Sequence, residues 1–223
     1  MSIKMVVWAL FDSGNGCYSK GVKELNESNE TFIEIYPIGI DIENKNDHFI
    51  NLNLADYGRL FGDNTLFNEL DKLPKPDLII AIPPCESWSN ASAMANGNAC
   101  WKQEDLSDSL FSPQTEPSKF TVREYKDYDR YQFKPLKSLI KRINGELTVL
   151  NTIEIIKRYR PKFYIIENPA YGRIWEYIDK ILGFYIEYEN LTYYNNYDYP
   201  IKKPTKFSSN LSVSYTHLRA HET

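Results

Sequence analysis

Two side chains in this sequence combine a reactive type with an unusual setting. In "DLIIAIPPCESWSN" an apolar run meets two prolines, and Cys85 follows where the chain turns. In "PKFYIIENP" a second apolar run ends at Glu167, with Asn168 and Pro169 fixing the turn. Ionised, a thiol is a strong nucleophile; held protonated, a carboxyl group is a general acid. A cysteine buried as a small hydrophobe needs no proline lock, and a solvated glutamate needs no strand behind it. The repeated strand-then-proline device points to a thiol and a carboxyl group presented together.

Two further elements point to a bound nucleoside. "LFDSGNGCYSKG" follows the first apolar run and precedes a helical stretch. There Gly14 and Gly16 let the backbone approach a ligand, at a helix N-terminus that carries partial positive charge. Asp41 closes the next strand, 25 residues past Gly16, near the distance at which an acid takes ribose hydroxyls. A glycine turn by itself is a weak sign. With Asp41 the pattern fits a nucleoside-bearing cofactor, and nothing in it requires a pyrophosphate.

Such residues need a scaffold that delivers strand ends to one rim. "MVVWALF", "FIEIYPIGID", "DLIIAIPP" and "PKFYIIENP" read as strands. A helix follows the first at about Tyr18 to Leu25. Leu147, Leu150, Ile153 and Ile156 mark an amphipathic helix that Pro161 terminates. Another runs from about Arg173 to Leu182, with Ile174, Ile178 and Ile181 on one face and Gly183 as its stop. Strand and helix in alternation predict an α/β fold, a mostly parallel sheet with helices on both faces. "FYIEYENL" and "YYNNYDYPIKKPTKF" predict a hairpin-like end that adds an antiparallel strand. In an open parallel sheet ligands bind outside the carboxyl ends of the strands, so Gly14, Asp41, Cys85 and Glu167 would share one rim.

At 223 residues the chain is long enough to bury a core without disulfides or metals. Cys17, Cys85 and Cys100 form no framework and no Cys-x-x-Cys pair, so no metal site is expected. No run approaches the roughly 20 apolar residues that span a bilayer, and no secretory signal opens the chain, which predicts a cytoplasmic protein. Residues 1–211 read as one catalytic domain, with a polar insertion at about 97–145. Between Lys119 and Arg142 that insertion carries eight bases against three acids, interleaved with Tyr125, Tyr128, Tyr131 and Phe133. Basic residues among aromatics suit a phosphate backbone with exposed bases, and Arg123, Lys126 and Arg130 are the candidate DNA contacts; a solvated face is the plainer reading. Residues 212–223, ending "VSYTHLRAHET", have no periodicity and read as a non-native tail, so His217 and His221 are set aside as ligands.

"PPCESWS" resembles the Pro-Cys nucleophile motif of the DNA cytosine-5 methyltransferases, and "IIENP" resembles their Glu-Asn motif, in the family's order. "ALFDSGNGCYSKG", "IGIDI" and "NLNLADYG" are similar to its S-adenosylmethionine motifs. The likeness covers most of residues 5 to 211 and is closest to compact bacterial and phage versions. It implies a Rossmann-like methyltransferase fold and methylation of carbon 5 of cytosine in DNA. Cys85 would add to carbon 6, Glu167 would hold and protonate N3, and Asn168 would steady the loop. Phe11 and Asp56 would meet the adenine and Asp41 the ribose, with Pro83 beside the cofactor; Lys206 loosely matches the basic residue that helps hold cytosine.

The chain departs from the family in three places. Phe11-Asp12-Ser13-Gly14 has one residue more than the family's glycine motif, the glutamine-and-arginine motif is reduced to lysines, and no long target-recognition domain follows. DNA reading then falls to the basic insertion or to a separate partner, or the frame is truncated. A catalytically silent binding module that keeps the fold is the alternative. An amino-methyltransferase using "NPAY" ranks below it, because that motif belongs after the fourth strand and here follows the fifth.

Overall fold

Trp8, Ala9 and Leu10 are wholly shielded from solvent, as a strand covered on both faces must be. They belong to an interior strand of the sheet in a computed structural model that describes residues 4–12, 16–28, 32–40, 49–89, 101–103, 120–122, 135–197 and 200–212. Chain order is β1 (Lys4–Leu10), α1 (Cys17–Ser28), β2 (Phe32–Gly39), β3 (Ile50–Asn51), α2 (Thr65–Leu70) and β4 (Leu78–Ala81). Then come β5 (Trp101–Gln103), β6 (Phe120–Val122), α3 (Pro135–Tyr159), β7 (Phe163–Pro169), β8 (Tyr188–Tyr193) and β9 (Pro204–Ser209).

Seven strands form one sheet in the order β3-β2-β1-β4-β7-β9-β8. The first five in that order run parallel, and β9 lies antiparallel between β7 and β8. This is the mostly parallel sheet with an antiparallel C-terminal strand that the alternation of elements and the hairpin-like end predict. Ile38, Ile79 and Ile166 carry the core across the sheet, Ile153 and Ile156 of α3 join it, and Leu66 and Leu70 bring in α2. Neither β3 nor α2 stands out in the sequence, since two and six residues are too short to show a period.

Helix α3 departs from expectation at its start. It opens at Pro135, so the last part of the region assigned to the insertion is helical, and Gly145 does not stop it. A Cβ on Gly145 would stand 2.7 Å from both Cβ and Oγ of Ser87, so the glycine permits a close crossing of the turn after β4. The stretch from Ile174 also differs. Ile174 and Ile178 are buried, but Ile181 is 70 % exposed. Tyr177–Ile181 is a π-turn, with Leu182 N–H bonded to Tyr177 at 3.0 Å, and the wider turn rotates Ile181 off the apolar face. Gly183, at φ 59°, ends it as predicted.

Residues Trp101–Gln103 and Phe120–Val122, within the expected insertion, pair as a small antiparallel sheet of their own. The residues from Val213 onward, with His217 and His221, lie outside the described set. Among the described residues no helix is long and apolar enough to cross a membrane.

Candidate functional site

The rim begins where β1 ends. Phe11 N–H reaches the Ile38 carbonyl at 2.7 Å, which carries the β1–β2 ladder one residue past the strand. To do so Phe11 takes φ 65°, a left-handed conformation costly for an aromatic residue. Gly39 explains how the two ends come so close: a Cβ there would lie 2.9 Å from the Asp12 carbonyl oxygen. Gly16, at φ 64°, leads into α1 and accepts from Lys20 N–H at 2.8 Å. Gly14 and Asp41 lie outside the described residues. Sequence reasoning passed over Gly39, although a glycine two residues before a strand-end acid is a signal of close backbone approach.

Asp56 follows β3 on the same side of the sheet. Its loop is held from α3 by Asn151, which is wholly buried. The Asn151 Nδ2 donates to the carbonyls of Leu54 and Asp56, both at 2.8 Å, and its Oδ1 accepts from Arg59 Nη2 at 2.8 Å. With the backbone so fixed, Asp56 keeps one carboxyl oxygen, Oδ2, buried without a hydrogen-bond partner. A buried acceptor left open is costly unless something else fills it. Phe11 thus brings a ring to this part of the rim, and Asp56 an acceptor without a partner.

The second half of the rim is built from β4 and β7, paired in parallel with Ala81 opposite Ile166. Past them the chain turns at Pro83-Pro84, and Cys85–Ser87 form a single 3-10 turn closed by Trp88 N–H and Ser89 N–H on the Cys85 carbonyl, both at 3.0 Å. Asn168, wholly buried at the end of β7, donates Nδ2 to the Pro83 carbonyl at 2.8 Å. Its Oδ1 is buried with no hydrogen-bond partner. Behind the turn, Ser87 Oγ donates to the Lys141 carbonyl and Lys141 pairs with Glu86, both at 2.6 Å. Gly172 allows a further approach, since its Cβ would meet the Trp88 carbonyl at 3.0 Å. Cys85 is a free, half-buried thiol on a turn gripped from several elements.

Glu167 is 4 % exposed. Burial raises its pKa, against the opposing pull of the Lys203 ammonium and a hydrogen bond from Tyr194. Tyr194 OH donates to Oε1 at 3.3 Å, and Lys203 Nζ donates to that hydroxyl at 3.4 Å while its charge sits 4.6 Å above the Tyr194 ring. For Lys203, burial pulls the pKa down, but Tyr194, Glu167 and Cys85 outweigh it and leave the ammonium favoured. Lys203 therefore feels both Glu167 and Cys85, the two groups singled out first.

Lys206 is placed elsewhere. It lies opposite Asn168 in the β7–β9 pairing, one residue out of step with Glu167, and so on the other face. There it pairs with Glu189 at 2.7 Å and covers the Trp175 ring at 5.1 Å. The basic residue beside Glu167 is Lys203. The signal was present in "IKKPTKF", but the choice among its lysines depends on strand register. Arg123, Lys126 and Arg130 lie outside the described residues. Among the described residues no group of three His, Cys, Asp or Glu side chains could hold a metal ion.

The chain matches no protein-family model and no curated protein. Among solved structures it is similar to a candidate DNA modification methyltransferase encoded within a prophage of E. coli, with 13 % identity and a TM-score of 0.48. That match takes in 94 % of this chain and 49 % of the other, so the chain spans about half the length of that protein.

Proposed function

We propose that the chain methylates carbon 5 of cytosine in DNA, using S-adenosylmethionine in a bacterial or phage-infected cytoplasm. The observation that carries the reading is the Cys85 turn joined to the buried Glu167–Asn168 end of β7, through the Asn168–Pro83 hydrogen bond and the shared neighbour Lys203. Their order and spacing in "PPCESWS" and "IIENP" support it from the sequence side.

Carbon 5 of cytosine is a poor nucleophile, so the ring must first be activated. Cys85 Sγ, as thiolate, bonds to carbon 6, the 5,6 electron pair moves to carbon 5, and Glu167 gives a proton to N3. When bound, S-adenosylmethionine supplies an electrophilic methyl group for that carbon. Loss of the carbon 5 proton to solvent then expels Sγ, and the N3 proton returns to Glu167. Burial raises the Glu167 pKa and so favours the protonated form that can donate. Lys203 takes the part of the cation that helps hold cytosine, in place of Lys206. In duplex DNA the base must first leave the stack at a cost of about a few kcal/mol.

S-adenosylmethionine would be held with its adenine against Phe11, its amino group toward Asp56 and its ribose toward Asp41. Gly14 and Gly16 would let the backbone come close to it, and Pro83 would lie beside it. The fit rests on the open Asp56 acceptor and on the close packing that Gly39 permits. Arg123, Lys126 and Arg130 contact phosphates, alone or with a separate target-recognition partner. Residues 1–211 are the catalytic unit in this reading, and the segment after it contributes nothing.

DNA carrying 5-fluorocytosine tests the proposal. Fluorine cannot leave as a proton does, so methyl transfer should leave protein and DNA covalently joined. A denaturant-stable band should form only with S-adenosylmethionine. Cys85→Ser should abolish it, Glu167→Gln should slow it severely, and Cys17→Ser and Cys100→Ser should leave it intact. Methylation undiminished in Cys85→Ser would remove the cytosine-5 reading, and a silent module would give no band at all.

A further inference from the structure

The β8–β9 hairpin places one phenol between a cation and the buried acid. Tyr194 N–H also bonds to the Lys203 carbonyl at 3.1 Å, so backbone as well as side chains fix the pair. Lys203 Nζ donates to the phenol oxygen, which leaves the single phenol proton to point at Glu167 Oε1. Among the described residues Tyr194 is the one hydrogen-bond donor to Glu167; its Oε2 has no such partner and is not among the fully buried unpartnered atoms. The contacts of 3.3 and 3.4 Å stand at the long end of the hydrogen-bond range.

We propose that Tyr194 is a positioning residue: held by Lys203, its hydroxyl occupies Oε1 of Glu167 and so reserves Oε2 for the substrate base. The proposal rests on the cytosine-5 reading for the identity of that base, but the Tyr194–Glu167 coupling exists without it. A carboxyl group has two oxygens and can rotate, so an unanchored acid would present the wrong one, or the wrong protonation state, for part of the time. Tyr194 removes that freedom. By donating to the ionised form it also holds the Glu167 pKa lower than burial alone would, so the proton can be given up. The charged and titratable groups facing Glu167 are Lys203 and Tyr194, with Cys85 reaching it through Lys203.

The test uses Tyr194→Phe, which keeps the ring beneath the Lys203 ammonium and deletes only the hydroxyl. The protonated carboxyl of Glu167 has an infrared stretch, assigned by its loss in Glu167→Gln and titrated in the resting protein without DNA. In Tyr194→Phe that band should persist to higher pH, and in Lys203→Met, which serves if the first variant fails to fold, it should persist as well. With DNA and cofactor, kcat should fall roughly tenfold while KM for DNA holds, the scale of one hydrogen bond to a charged group. The basic limb of the rate profile should move to higher pH, because the reacting form is the protonated one. A titration midpoint unchanged in both variants would overturn the proposal, as would a loss confined to KM. If the midpoint moves but the wild type forms no cysteine adduct with 5-fluorocytosine, the positioning role stands and the cytosine-5 reading falls.

Discussion

Asn151 and Asn168 are each fully buried, and each reaches from its own element to the backbone of a loop on the rim. Asn151 uses everything it has: two N–H groups on the Leu54 and Asp56 carbonyls, and its oxygen on Arg59. Asn168 uses one N–H on Pro83 and leaves its oxygen unpartnered. The first is a finished joint that holds the proposed cofactor side. The second is held as firmly against solvent but is electrostatically incomplete, on the side where chemistry is proposed. A fully satisfied network specifies one geometry, and an unsatisfied one stores a demand that a ligand can meet.

Breaking the finished joint should cost most. Asn151→Ala leaves the Leu54 and Asp56 carbonyls without their donor, and urea denaturation should show a loss of about 3 kcal/mol. Its cofactor affinity should fall while any residual reaction still needs Cys85. Asn168→Ala removes a single bond and should cost only about 1–2 kcal/mol in the same measurement. The ranking should invert in the 5-fluorocytosine assay, with Asn168→Ala the more damaging. If the two variants rank alike in both measurements, the halves of the rim are not specialised.

Helix α3 serves both halves, through Asn151 on one loop and through Gly145 against the other. Gly145→Ala gains about 1 kcal/mol of helix propensity, but its Cβ would overlap Ser87, which cannot swing away because its Oγ is bonded to Lys141. The clash should win, with a net loss of about 1 kcal/mol. Ser87→Gly in the same chain should turn that loss into a gain, and a double-mutant cycle reads the sign.

The smallest effect is a slope. Glu167 has a folded-state pKa above its ordinary 4.5, so the unfolded chain gives up this proton first as pH rises. Its contribution to stability is therefore unpenalised below 4.5 and becomes a cost as pH climbs from there through the folded-state value. Glu167→Gln should match the wild type in acid and become relatively more stable as pH increases. A stability difference that does not change with pH would mean that burial leaves this carboxyl unperturbed.

Four of the five parallel strands were legible because each is an apolar run ended by a turn residue, and a doubly covered strand has no other sequence to choose. β3 was not, because two residues cannot display a pattern. The exposed Ile181 was misread because a π-turn looks like any helix until its hydrogen bonds are seen. That Cys85, Glu167 and Asn168 stand at or just past strand ends could be read from their settings, since proline-locked strand ends are written in the sequence itself. Asn151 could have been suspected as a polar residue between the apolar Leu150 and Ile153, but its partners lie more than 90 residues away. Lys203 and Tyr194 depend on how β9 meets β7, and a shift of one residue would have exchanged Lys203's strand face for the other.

Phe11 sets two kinds of selection against each other. At φ 65° the backbone would prefer glycine or asparagine there, and an aromatic residue carries a conformational penalty of about 1–2 kcal/mol. Its ring packs partly against the core, which offsets some of that strain but does not require that it stand at the mouth of the rim. A library randomised at this codon and sorted for resistance to heat or protease should drift toward glycine. The same library sorted for methyl-donor capture should keep Phe, Tyr or Trp, and the separation between the two outcomes would measure what the ring contributes beyond holding the chain together.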